Sequence, residues 1–370
     1  MAGKRNTIEG IFPPGAAVRQ SVPVRPAGKE CAVYRVCWGR VVAAACTLGV
    51  FVLLIRGCVY ARGQTETAAA DGGISVQVYS DLGISVYDRR TGQITEEPLE
   101  EYLVGVVAAE MPASFEEEAL CAQAVAARTY TVRKLLHGGC NSSDADVCTG
   151  SNCCQAFASA ERQRARWTNS YEENRARVEQ AVRKTMGQVL LYEGEPIEAL
   201  YHSASGGYTE DSENVFAVAR PYLRAVESGN ETGTSRLSAT GKLSYEEFCR
   251  RVNESYPKAG LSEGRLADQI AVVSRTESGR VNAIRLGGAT LTGKQLRYLV
   301  GLDSTMFTVT LTGKTVRFDT KGFGHGVGMS QTGANGMARA GADYEEILLH
   351  YYTGVTIGSW QTIPALRGGG

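Results

Sequence analysis

Net charge is the first thing this chain lacks. Its 370 residues carry 39 Lys and Arg against 39 Asp and Glu, so no global field draws it to nucleic acid. No CxxC knuckle announces a zinc ribbon. The glycine-rich stretch at 322–328 lacks the Lys-Ser/Thr ending of a phosphate loop. The Ser-His fragment around residue 202 has no G-x-S-x-G elbow and no third catalytic group beside it. What remains is length enough for one large domain or two ordinary ones, with a sizeable core.

The balanced charge hides an asymmetry. Residues 1–40 hold Lys4, Arg5, Arg19, Arg25, Lys29, Arg35 and Arg40 against Glu9 and Glu30. The apolar run "VVAAACTLGVFVLLI" follows at 41–55, closed by Arg56. Fifteen residues make about 22 Å of helix, short of the ~30 Å hydrocarbon core. Extended to 36–60, with Arg40 and Arg56 snorkelling outward, the span is long enough. A cleaved signal peptide would need a basic region of some 40 residues, and no small-x-small site follows. The expected order is a cytoplasmic basic segment (1–35), a transmembrane helix (36–60), a linker (61–73), a catalytic domain (74–360) and a tail (361–370). Positive charge inside places that domain outside the cytoplasm.

The expected fold class is α+β: a single exported domain of helices packed on antiparallel strands, preceded by one transmembrane helix. Alternation from Ile74 predicts strands, and "LEEYLVGVVAAEM" a helix. Pro112 disfavours helical geometry at Met111, so that helix should stop near Glu110. Ser114 with Glu117 is a capping-box pattern opening a second helix to about Leu136, and Ser170 with Glu173 is another. "QVLLYEGEPIEALYHS" reads as two strands around a Glu-Gly turn, and 269–318 as a run of strands.

Four stretches carry chemistry. Glu110 sits at the corner between two helices, where partial burial would raise its pKa and suit it to general acid work. "HGGCNSSDADVCTGSNCC" (137–154) gathers thiols and an imidazole fit for Zn²⁺, with a local disulfide as the alternative. Adjacent Cys153 and Cys154 can hardly both bind one tetrahedral ion, which selects Cys154 beside Cys148. In "YHSASGGYT", Tyr201 and His202 alternate in direction, so one of them faces any given surface. The glycines of "GFGHGVGMSQTGANGMA" permit close backbone approach to a phosphate, a sugar or another strand, and His325, Ser330 and Gln331 sit among them.

Together "VVAAEMPASF…ALCAQAVAARTY", "YHSASGGYT", "PYL", "LTGKQLR" and "GFGHGVGMSQTGANGMA" occur in an order that resembles the stage II sporulation protein D family, across roughly 74–360. The resemblance implies a membrane-anchored lytic transglycosylase cutting the MurNAc–GlcNAc bond of peptidoglycan glycan strands, with Glu110 as sole catalytic carboxylate. It implies a 1,6-anhydro-muramic product, a preference for peptide-stripped glycan, and so a sporulation amidase and a membrane partner in the engulfment machinery. The expected place is the mother-cell membrane, facing the intermembrane space. Some relatives hold structural zinc through one His and two Cys. Here Cys148 and Cys154 match, but Ser142 stands six before Cys148, leaving His137 or Cys140 as third ligand. Tyr201, His202, Ser205, His325, Ser330 and Gln331 are the implied sugar contacts. A non-catalytic, glycan-binding amidase enhancer and a zinc hydrolase stay open beside this reading.

Overall fold

A computed structural model describes Asn6–Thr7 and residues 82–366, apart from 217, 230 and 232–236. The rest of the basic segment, the apolar stretch 36–60 and the linker lie outside the described residues. Among the described residues no helix is long and apolar enough to cross a membrane.

The hairpin β1 (Gly83–Asp88) and β2 (Gln93–Pro98) runs directly into α1 (Leu99–Glu110), and α2 (Glu117–Leu136) follows the break. Next come β3 (Val147–Cys148), α3 (Ala160–Trp167) and α4 (Tyr171–Lys184). The hairpin β4 (Gln188–Tyr192) and β5 (Glu195–Pro196) turns through Glu193 and Gly194, both at positive φ, as a tight two-residue hairpin loop requires. β6 (Tyr201–His202) leads towards a second lobe. That lobe comprises β7 (Ser238–Ser244), α5 (Tyr245–Ser255), β8 (Ile270–Arg275), β9 (Val281–Leu286), β10 (Ala289–Thr292), α6 (Gly293–Val300), β11 (Phe307–Thr312) and β12 (Thr315–Lys321). The chain returns through β13 (Met329–Ser330), α7 (Gln331–Arg339), α8 (Tyr344–Tyr351) and β14 (Thr356–Ser359).

The class is α+β, with mostly antiparallel pairing. The sheets run β2-β1-β3, β14-β4-β5, β10-β9-β8 and β11-β12-β7, and Asn6–Thr7 pairs with Thr310 and Leu311 at the edge of the last. A short parallel ladder joins β13 to β6, setting Met329 opposite Tyr201 and Ser330 opposite His202. Among the described residues there are two apolar cores rather than one. The first centres on α2, the second on Phe248, Phe307 and Phe318.

α2 is buried on every side by α1, α4, α7, α8 and β4, which is why its apolar residues show no single stripe. Ala119, Ala122, Ala124, Ala126 and Ala127 keep it thin enough for five neighbours to approach. Its one buried cation, Arg128, donates from Nε and Nη2 to Glu100 of α1 at 2.8 and 2.6 Å. The same guanidinium reaches the carbonyls of Val182 and Gln188 at 3.1 and 3.2 Å, tying α1, α2, α4 and β4 together.

Several local expectations are corrected. Glu116, not Ser114, precedes α2, without a side-chain cap; its N–H donates to Asn335 Oδ1 at 2.8 Å instead. Ser170 does not cap α4, because a 3-10 turn at Thr168–Ser170 already leads into it. Two helices were not expected from the sequence: α3, capped by Ser159, and α6, opened inside the expected run of strands by a reciprocal capping box between Thr292 and Gln295. The box was legible in "TGKQL", but the flanking β alternation masked it.

Candidate functional site

α1 stops at Glu110 because Pro112 forces Met111 into extended geometry, with φ −116° and ψ 147°. The chain turns there, and Glu110 lies half-buried on the wall of a cleft of about 990 Å³. Burial raises its pKa, and the negative end of the α1 dipole acts in the same direction. Opposing contacts come from the Ala156 N–H, at 2.8 Å from Oε1, and from the Gln331 and Tyr201 side chains. Burial prevails. Tyr201 directs its O–H to Gln155 Oε1 at 2.8 Å. Gln155 in turn donates to Thr131 of α2 at 3.1 Å, and Gln331 to Gln123 at 3.2 Å. The carboxyl is therefore oriented by a chain of polar side chains seated on the central helix.

Gly105, in the middle of α1, explains how Ala156 gets there. Phe157 crosses the helix at this point and stacks on Tyr102, centroids 5.5 Å apart. A Cβ on Gly105 would meet the Phe157 ring at 2.1 Å. Ala158 N–H donates to the Gly105 carbonyl at 3.0 Å, so the segment leaving the cysteine loop is stitched along α1 up to Glu110. A helix-interior glycine, ordinarily destabilising, here lets the second wall of the site approach.

On the opposite side, both Tyr201 and His202 reach the cleft, contrary to the expectation from strand alternation. β6 ends there, so Tyr201 meets Glu110 while His202 meets His325, ring centroids 5.5 Å apart. Burial pushes the pKa of His202 well down, helped by His325 and Arg280. Burial, with Arg297 and Arg280, brings His325 down to about 4. Neutral rings have fixed tautomers. His325 Nδ1 accepts from the Val327 N–H at 3.1 Å, and His202 Nδ1 donates to the Val327 carbonyl at 3.2 Å. His202 Nε2 is buried without a partner among the described residues, and the His325 ring also bonds the Tyr201 backbone. The glycines permit contact with protein rather than with a phosphate: a Cβ on Gly328 would lie 2.0 Å from the Leu200 carbonyl.

Ser205 and Ser330 are fully buried and off the cleft wall. Ser205 donates from N and Oγ to the Glu231 carboxylate, both at 2.7 Å, and the Ser330 hydroxyl binds the same oxygen. Ser330 also caps α7 by accepting from Gly333 N–H at 3.2 Å. These two serines brace the loop behind the site. Glu231, Gln155 and Gln123 were not singled out from the sequence. For Gln123 a signal existed: one amide inside the otherwise apolar, Ala-rich run 119–127. A G-x-S-x-G sequence at Gly260–Gly264 falls between 3-10 turns of the second lobe, not on a strand-to-helix elbow.

The cysteine loop closes differently from expectation. The sulfurs of Cys140, Cys148, Cys153 and Cys154 all lie within 4.8 Å of one another. Cys153 was set aside because it adjoins Cys154. However, both N–H groups bond the Gly150 carbonyl in a tight turn, which points the two side chains the same way, sulfurs 3.9 Å apart. Thiolates on a tetrahedral zinc at ~2.3 Å would stand about 3.8 Å apart, so this donor set fits the ion. His137 is outside the cluster: it is exposed, with Nδ1 2.9 Å from its own helix carbonyl, Arg133 O. Ser142 sits among the sulfurs, 3.2 Å from Cys140 Sγ and 3.4 Å from Cys153 Sγ. Cys153 and Cys154 line the same cleft as Glu110.

Comparison with known proteins places the chain in a family. The family described as "SpoIID: Stage II sporulation protein" matches residues 87–192, the segment holding Glu110 and the four cysteines. Stage II sporulation protein D of Bacillus subtilis is 35% identical over 297 residues, covering 80% of this chain and 84% of that one. The chain belongs to the stage II sporulation protein D family. Stage II sporulation protein D of Bacillus amyloliquefaciens is 38% identical, over 75% of this chain and 79% of its own. A B. subtilis protein named "Amidase enhancer" is 29% identical over 70% of this chain and 40% of its own length.

Proposed function

We propose that this family member is a peptidoglycan lytic transglycosylase in which Glu110 alone performs acid and base catalysis. The observation that carries the reading is a half-buried carboxyl of raised pKa, oriented by Ala156, Tyr201 and Gln331 on the wall of a cleft. Protonated Glu110 gives its proton to the glycosidic oxygen as the bond from muramic C1 breaks. The resulting carboxylate takes the proton from the muramic C6 hydroxyl, whose oxygen bonds C1 and closes a 1,6-anhydro ring. Glu110 ends protonated and no water is consumed, so one carboxylate suffices where a glycoside hydrolase normally uses two. Glu198 also lines the cleft, but it is paired with Arg220 at 3.2 Å.

In the same reading the substrate is peptide-stripped glycan supplied by a sporulation amidase, in a complex with a membrane partner during engulfment. Residues 36–60 anchor the chain in the mother-cell membrane. An anchored chain with a cytoplasmic N-terminus could not keep Asn6–Thr7 paired to β11, so protease accessibility of an N-terminal tag in intact cells decides between the two. Cys140, Cys148, Cys153 and Cys154 would hold zinc, which when bound cross-links the loop. Four thiolates leave no open position for activating water, which disfavours the zinc-hydrolase alternative.

The test is product analysis. The purified chain is incubated with peptide-stripped glycan strands and the products are read by mass spectrometry. Anhydro-ended saccharides, absent with Glu110→Gln, support the proposal; reducing-ended products refute the lytic route. Binding without any product leaves the non-catalytic amidase enhancer, a reading that the similarity to a protein of that name keeps in view.

A further inference from the structure

We propose that Arg166 makes this cleft selective for muramic residues whose lactyl carboxylate is free, an inference that rests on the glycan-cleaving reading above. Arg166 is the only lysine or arginine among the described residues lining the cleft. It lies in the last turn of α3 and is exposed, with Nη1 held by the Ala108 carbonyl at 3.1 Å, two residues before Glu110. No carboxylate pairs with it among the described residues, whereas Glu198 already has Arg220. His202 and His325 are held neutral. Arg166 is therefore the one fixed positive charge among the described residues of the wall.

Such a charge favours an anionic sugar. In a glycan strand the anion is the lactyl carboxylate on C3 of muramic acid, the same ring whose C1 is cleaved. While a stem peptide is attached, that carboxyl is an amide and carries no charge. Removal of the peptide creates the group that a guanidinium fork binds in two-point fashion. In this arrangement Arg166 positions the substrate and reads its state, while Glu110 performs the chemistry.

The experiment compares two ligands in the Glu110→Gln background, where nothing is cleaved: peptide-stripped strands, and the same strands with the lactyl carboxylates converted to carboxamides. By calorimetry the free acid should bind about tenfold tighter, in line with one accessible charge-assisted fork. The difference should shrink in high salt. Adding Arg166→Gln should bring the ratio near one by weakening the free acid alone. Arg166→Lys should keep part of the preference. Equal binding of both ligands before Arg166 is altered, or a preference that survives Arg166→Gln, overturns the inference and leaves the glycan reading intact. Binding of neither ligand sinks both. Far-UV circular dichroism and the melting temperature report whether each variant folds.

Discussion

Replacing Arg128 with Met tests whether the helix that presents Glu110 is held by one buried guanidinium. The Arg128 side chain is 0% exposed, and Glu100 is 9% exposed. Met fills much of the stem's volume but leaves the Glu100 carboxylate in the core with the Gly187 N–H, at 3.4 Å, in place of the fork. Breaking a buried pair in this way costs about 3–5 kcal/mol, because a desolvated charge loses its counter-charge. The carbonyls of Val182 and Gln188 also lose a donor, a smaller penalty. At roughly 2–4 °C per kcal/mol for a chain of this size, the melting temperature should fall by about 10 °C. Urea unfolding can be followed by fluorescence of Trp167 and Trp360, which both pack in the first core. The double variant Glu100→Gln with Arg128→Met removes the stranded charge and should recover at least half the loss. Strictly additive costs, or a single-variant cost below about 1 kcal/mol, would show that the pair does not hold this core. Activity on glycan should fall with stability, since α1 carries Glu110 at its end.

Three further outcomes are expected. Gly105→Ala, which in an exposed helix would stabilise by up to ~1 kcal/mol, should destabilise and slow catalysis here, since the new methyl displaces Phe157; an unchanged melt and rate would refute the account of that glycine. Glu110→Gln should raise the melting temperature at pH 7. The folded pKa of Glu110 lies above its unfolded value, so its favourable contribution is fully present below about pH 4.3 and is lost as pH rises through the folded value. The gap between variant and parent should accordingly close in acid, and a gap independent of pH would contradict the burial argument. Cys148→Ser and Cys153→Ser should each lower bound zinc, read by elemental analysis, and loosen residues 137–160 to proteolysis. His137→Ala should change neither; loss of metal on altering His137 alone would overturn the four-thiol set.

What the sequence determined by itself was local or collective. Pro112 ends α1 through backbone sterics that any fold would obey, and the Glu193-Gly194 turn and most helix positions follow from similarly short-range preferences. The ordered motifs sufficed for the family. Which groups meet was decided only by tertiary structure. Strand alternation could not foresee that β6 ends at the cleft and offers both Tyr201 and His202. Serine chemistry gave no hint that Ser205 and Ser330 serve a buried Glu231. Spacing argued against Cys153, and a single tight turn brought it in. Gln155 and Arg166 had no signal at all, because their partners lie 46 and 58 residues away. Long-range contact depends on how elements pack in three dimensions, and no local pattern in a single chain encodes that directly.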